Sequence, residues 1–197
     1  MQRAAIGFRV HSGWAAMVAV APEDGLPVVL ERRKLLLVKT FSYTFRQPYH
    51  TAEKMPLSEG AEFVRGVEKE SRDLALAGIR SLEKELAKLE YKVCGVALLL
   101  ASGRSLPEFE KILVSHALIH TADGELFRES IRFACTRAKL SVTAIREREL
   151  LATAATRLKK RPEFLARHVA VLGKSIGPPW TQDEKLATLA ASLALLS

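Results

Sequence analysis

VCGVALLLA, Val93 to Ala101, is a short apolar run without a single charge. That is the pattern of a central strand covered on both faces, and it decides how the rest of the chain is read. Ahead of it, from Ser58 to about Glu90, the period is helical. Val64, Val67, Leu74, Gly78, Leu82, Leu86 and Leu89 trace one stripe, with a break expected near Gly66 or Gly78. Further back, AAIGFRV (residues 4–10), Trp14 to Val20 and Val28 to Val38 read as strands. They are joined by the turn signals His11-Ser12-Gly13 and Ala21-Pro22-Glu23-Asp24-Gly25. Tight connections make these an antiparallel meander. The charges Glu31-Arg32-Arg33-Lys34 suit the third strand to a sheet edge, where charge discourages further pairing. Between meander and helix, Phe41 to Pro56 has no clear period and reads as a loop rich in aromatics.

Beyond the central strand, Ser105-Leu106-Pro107-Glu108 is a capping box opening a short helix to about Val114. SHALIHTADGELFRE, Ser115 to Glu129, concentrates histidine and acid. Asp123 is expected to cap a helix from Glu125 to Lys139 with Leu126, Ile131, Phe133 and Ala134 on its apolar face. Leu140 to Ile145 is a last strand, Glu147 to Leu158 and Pro162 to Leu172 are helices, and Gly173 to Gly177 is a connection. Thr181-Gln182-Asp183-Glu184 is a second capping box. The helix that follows, rich in small residues as far as Leu195, can pack closely on the sheet.

The 197 residues suit one domain with one sizeable core. A hydrophobic fraction of 48% with 26% charged residues is globular composition and excludes disorder. The net charge of +8 and pI near 9.7 favour anionic partners, nucleic acid first. Cys94 and Cys135 lie in apolar contexts and read as buried, reduced thiols of a cytoplasmic protein. MQRAAIGFRV lacks the core of a signal peptide, and KLATLAASLALLS falls short of a bilayer span, so no membrane partner is expected.

The order of elements is meander, helix, strand, helix, strand, helices. It resembles the ribonuclease-H-like α/β fold: a mixed sheet of a three-stranded antiparallel meander plus two parallel strands, with helices on both faces. Within that superfamily the order looks closest to RuvC-type Holliday-junction resolvases. IGFRVHSGW is similar to their glycine-rich turn after the first strand, and DEKLATLAASLAL to their final, acid-presenting helix. The resemblance implies a nucleic-acid-binding domain. It also implies two divalent ions held by carboxylates from the first strand, the fourth strand and the last helix. Here the first strand offers Arg9 and His11 instead of an acid, and the fourth ends Leu99-Leu100-Ala101-Ser102. Only Asp183 and Glu184 fall where the last acid belongs. The expected function is therefore a non-catalytic or degenerate nucleic-acid-binding domain.

Its candidate phosphate contacts are Arg32, Arg33, Lys34, Arg46, Lys159, Lys160, Arg161 and Lys185, which neutralise backbone charge without reading bases. Trp14, Tyr49 and Trp180 could stack on a base, although core packing is the expected role of each. An alternative function is a divalent-metal-dependent hydrolase or nuclease. Its candidate catalytic residues are His116, His120, Asp123, Glu125 and Asp183, with His50 or His11 nearby. His116 and His120 have a zinc-ligand spacing, and Asp123 could be a third ligand. The helix start at Thr121 to Gly124 argues against one helix carrying all three, so histidines satisfied by backbone contacts are expected and no residue is assigned to a metal. A third reading is a protein-interaction module using the long helix or the Phe41–Pro56 loop. His120 or Asp123 is expected to contact the Gly177–Asp183 segment through buried polar hydrogen bonds, whereas segments on opposite faces of the sheet would make these residues local caps and remove the shared site.

Overall fold

The computed structural model describes residues 1–101 and 105–196, so Ser102, the expected end of the fourth strand, lies outside the described residues. Five strands form one sheet: β1 (Gln2–His11), β2 (Trp14–Glu23), β3 (Leu26–Leu36), β4 (Tyr91–Leu100) and β5 (Val142–Arg146). Their order is β3-β2-β1-β4-β5. The first three are antiparallel neighbours, while β4 pairs parallel to β1 and β5 parallel to β4. The charged third strand is at an edge, and β1 and β4 are central.

Strand alternation sorts the sheet into two faces. Ala4, Ile6, Phe8, Met17 and Leu98 share a core with α3 (Leu57–Lys88) and α5 (His116–Arg137). Ala5, Val18, Val20, Ala97 and Leu99 share the other with α6 (Leu150–Leu158), α7 (Pro162–Ile176) and α8 (Gln182–Ala194). Side chains on alternate residues of one strand cannot do otherwise. The close packing expected of α8 is present: a Cβ on Gly7 would lie 1.9 Å from the Ala187 carbonyl oxygen. Its capping box is formed, with the Thr181 hydroxyl accepting from the Asp183 amide and Glu184 reaching back to the Thr181 amide.

Several expectations need correction. The Phe41–Pro56 loop holds two short helices, α1 (Tyr43–Arg46) and α2 (Pro48–Ala52), anchored by Phe45 against Phe63 of α3. α3 runs unbroken through Gly66 and Gly78. Its buried stripe passes through Ala75 and Ile79 rather than Leu74 and Gly78, and Leu89 is exposed. The box at Ser105 does not cap: α4 (Phe109–Leu113) begins after Glu108 with no side-chain bond at its start. Asp123 is not a cap either. α5 begins at His116 and passes through Thr121 to Gly124 without interruption, because Ile119, Ala122, Leu126 and Phe127 bury one continuous face. Phe133 lies off that face and is 39% exposed. α7 runs on through Gly173, and a short 3-10 turn at Glu147–Glu149 precedes α6.

Candidate functional site

Two polar clusters flank the C-terminal end of β1, one on each face. On the α8 face, residues in register across the sheet point the same way. Arg9 pairs with Ala16, and Ala16 with Lys34, while His11 pairs with Trp14. Arg9 donates through Nε and Nη2 to both oxygens of Glu147 at 3.0 Å, and through Nη1 to Asp183 on the first turn of α8. His11 Nε2 lies 2.7 Å from the same Asp183 oxygen. Burial works to raise the Asp183 carboxyl, but the bonds from His11 and Arg9 outweigh it and hold it below the ordinary carboxylate range. Burial likewise works against the Arg9 charge, and Glu147 and Asp183 reverse it. One guanidinium thus bridges two carboxylates from separate elements at the end of the first strand.

Beside this network a surface cleft of about 440 Å³ is lined by residues that include Trp14, Arg32, Arg33, Lys34, Pro179 and Asp183. The Trp14 ring stacks on His11 with centroids 4.5 Å apart and 12° between planes, and Lys34 Nζ lies 4.7 Å from its centroid. Lys34 and Arg46 both sit over Phe41. Arg32 donates to the Pro178 and Pro179 carbonyls, which orients its charge without cancelling it. Arg33, one residue on, faces the opposite side and pairs with Glu85 of α3, so its charge is already matched. Arg32 and Lys34 line this cleft, Arg46 meets Lys34 over Phe41, and Lys185 follows the capping box of α8. Lys159, Lys160 and Arg161 lie instead between the end of α6 and the start of α7. Arg157 bonds the Leu196 carbonyl at 3.2 Å, which sets the end of α6 beside the far end of α8. Of the stacking candidates, Tyr49 packs on Phe109, and Trp180 donates to the Val169 carbonyl while covering Gly173. Only Trp14 stands beside the cleft.

The α5 face carries the other cluster. Arg46 Nε bonds the Ser12 carbonyl at 3.3 Å, which ties α1 and α2 to the turn after β1. From α2, the buried His50 presents Nδ1 to Asp123 Oδ2, and the Tyr49 amide donates to Oδ1 at 2.7 Å. Burial raises the Asp123 carboxyl, and the bonds from His50 and Tyr49 only partly offset that. His116 and His120, exposed and one turn apart, approach to 3.0 Å between Nε2 atoms. Both rings meet His50, at 5.3 and 4.4 Å between centroids. Glu125 is held by Arg128 at 2.9 Å.

The sequence-derived candidates therefore separate. His116, His120 and Asp123 are brought together with His50. Asp183 is not: its partners are Arg9 and His11 on the opposite face, and the expected contact between Asp123 or His120 and the Gly177–Asp183 segment is absent among the described residues. Glu147 carries no local signal in the sequence. His50, expected near these candidates together with or instead of His11, is the one of the two that joins them, and His11 lies with Asp183. Neither cysteine supplies a nucleophile by geometry. Cys135 is buried, and burial first, then the charge of Glu83, pushes its thiol up to about 12; Cys94 donates to the Ala4 carbonyl. Among the described residues no helix is long and apolar enough to cross a membrane.

Strand order, the parallel β1–β4–β5 half and the helices on both faces define a ribonuclease-H-like fold of the RuvC type. The chain is similar to Thermus thermophilus RuvC solved in complex with Holliday junction substrate, with a TM-score of 0.53 and 14% identity over 98% of this chain and 93% of that one. It is similar also to a second Thermus thermophilus RuvC structure, with a TM-score of 0.50 and 14% identity over 96% and 91%. No protein-family model matches the chain, and no curated protein matches it significantly in sequence.

Proposed function

We propose that residues 1–197 act as one ribonuclease-H-like domain that binds nucleic acid, in the cytoplasm, without cutting it. The observation carrying this reading is the Arg9 guanidinium bridging Asp183 and Glu147 at the end of the central strand. A fixed cation of the chain already occupies both carboxylates as their hydrogen-bond partner. Two-metal hydrolysis needs several free oxygen ligands at one point, and Arg9 and His11 consume those available. Binding is supported by the similarity to a RuvC solved with a Holliday junction, by the charge of +8, and by the cleft itself. Arg32 and Lys34 line that cleft as sequence-independent phosphate contacts, Arg46 meets Lys34 over Phe41, and Trp14 offers a ring for an unpaired base.

The test is fluorescence anisotropy with labelled four-way junction, duplex and single-stranded DNA and with RNA, over a salt series. Binding that weakens linearly in log salt is expected, with the junction or a single strand preferred over duplex. No binding at low salt, or binding insensitive to salt, contradicts the reading.

A further inference from the structure

The imidazole cluster on the α5 face has no part in that function, and its geometry calls for its own account. One ring nitrogen from each of His50, His116 and His120 lies within 4.8 Å of the others. Tetrahedral zinc with bonds of about 2.0–2.1 Å to histidine spaces its ligand nitrogens by roughly 3.4 Å, so small side-chain rotations suffice to close the site. The rings meet edge to face, with 66° to 90° between planes, which turns nitrogens inward instead of stacking the rings. Sequence spacing supplies only two of the three. His116 and His120 share a face of α5 at one-turn spacing, and α2 brings His50 across to them.

Asp123 completes the arrangement from behind. Its carboxylate accepts from His50 Nδ1, which leaves Nε2 as the lone-pair nitrogen, and the Tyr49 amide fixes the carboxylate in turn. A carboxylate behind a ligating histidine sets the tautomer and raises its basicity. Asp123 is therefore not the third ligand but the group that orients it. The donor set is all nitrogen, which excludes magnesium and calcium as preferred ions and suits zinc and its neighbours.

We propose that His50, His116 and His120 are the three protein ligands of a zinc-class divalent ion, with Asp123 as the positioning residue for His50. The ion ties α2 to α5. Because His116 and His120 are exposed, the fourth coordination position faces solvent and takes water or a small anion.

Tag-free protein stripped with chelator and titrated with Zn2+ by calorimetry should bind one equivalent and gain thermal stability. Co2+ should give the intense visible bands of tetrahedral coordination. His116→Gln and His120→Gln are surface changes that leave the metal-free melting temperature in place. Each should lower affinity at least 100-fold and abolish the Co2+ bands. Asp123→Asn should weaken binding by about 10- to 100-fold. It should also shift the Co2+ spectrum, which loss of packing alone would not do. The proposal is overturned if the wild type does not bind Zn2+ at several-fold molar excess, or if both histidine variants bind as the wild type does. Neither result bears on nucleic-acid binding, which is measured separately.

Discussion

The two clusters at the end of β1 face opposite sides of one sheet and differ in how their charge is balanced. On the α8 face, Arg9 and His11 are set against Asp183 and Glu147, so every formal charge has a partner within the chain. On the α5 face, His50 has Asp123, but His116 and His120, which meet His50 ring to ring, have no acidic partner among the described residues. The first arrangement pairs carboxylates with a cation of the chain, and the second gathers three imidazoles with a single carboxylate.

The largest expected effect comes from separating the two faces mechanically. Gly7→Ala drives a methyl into the Ala187 backbone, which cannot yield as a side chain would. Urea denaturation should show a loss of about 3 kcal/mol or more, at the upper end for overpacking. Because α8 lifts away, the Arg9–Asp183 contact should go with it, whereas Zn2+ binding by whatever protein remains folded should persist.

Much of this contrast was legible in the sequence only on the α8 side. Period-two alternation gave the meander, the charged edge strand and the placement of Arg9 and His11 where an acid was sought. Thr181 to Glu184 announced the cap that positions Asp183. Glu147 is invisible locally because its partnership with Arg9 spans 138 residues and depends on β5, one strand beyond β4, delivering the residue after it to the same end of the sheet. On the α5 side the local signal misled. Thr121, Asp123 and Gly124 are residues of a helix start, but tertiary burial of Ile119, Ala122, Leu126 and Phe127 overrides that preference and keeps the helix continuous. Only that continuity places His116, His120 and Asp123 on one helix, and only α2, hidden in a stretch without period, supplies His50.

A smaller effect sharpens the charge balance. Asp183→Asn should cost about 1 kcal/mol at neutral pH, modest because the pair is part-exposed. The folded Asp183 carboxyl titrates below its ordinary value, so this stabilisation is complete above about pH 4 and is lost as pH falls through the folded value. Wild type and variant should therefore converge in acid denaturation curves, and a constant difference down to low pH would contradict the ion-pair account.

Smallest of all are single phosphate contacts. Lys34→Ala should weaken nucleic-acid binding a few-fold and lower the salt slope by about 1. Lys160→Ala, at the far end of the α8 face, should change neither. Equal effects from both would spread the interface beyond the cleft.

The central claim of the proposed function is that the Arg9 guanidinium, bridging Asp183 and Glu147, leaves no carboxylate set at the end of β1 for metal-dependent cleavage. Incubation of labelled four-way junction with the wild-type protein, with Mg2+ or Mn2+ added, measures retention and cleavage in one gel. The account predicts a retarded, intact junction at every metal concentration. Metal-dependent cleavage by the wild type that disappears in Asp183→Asn would contradict it.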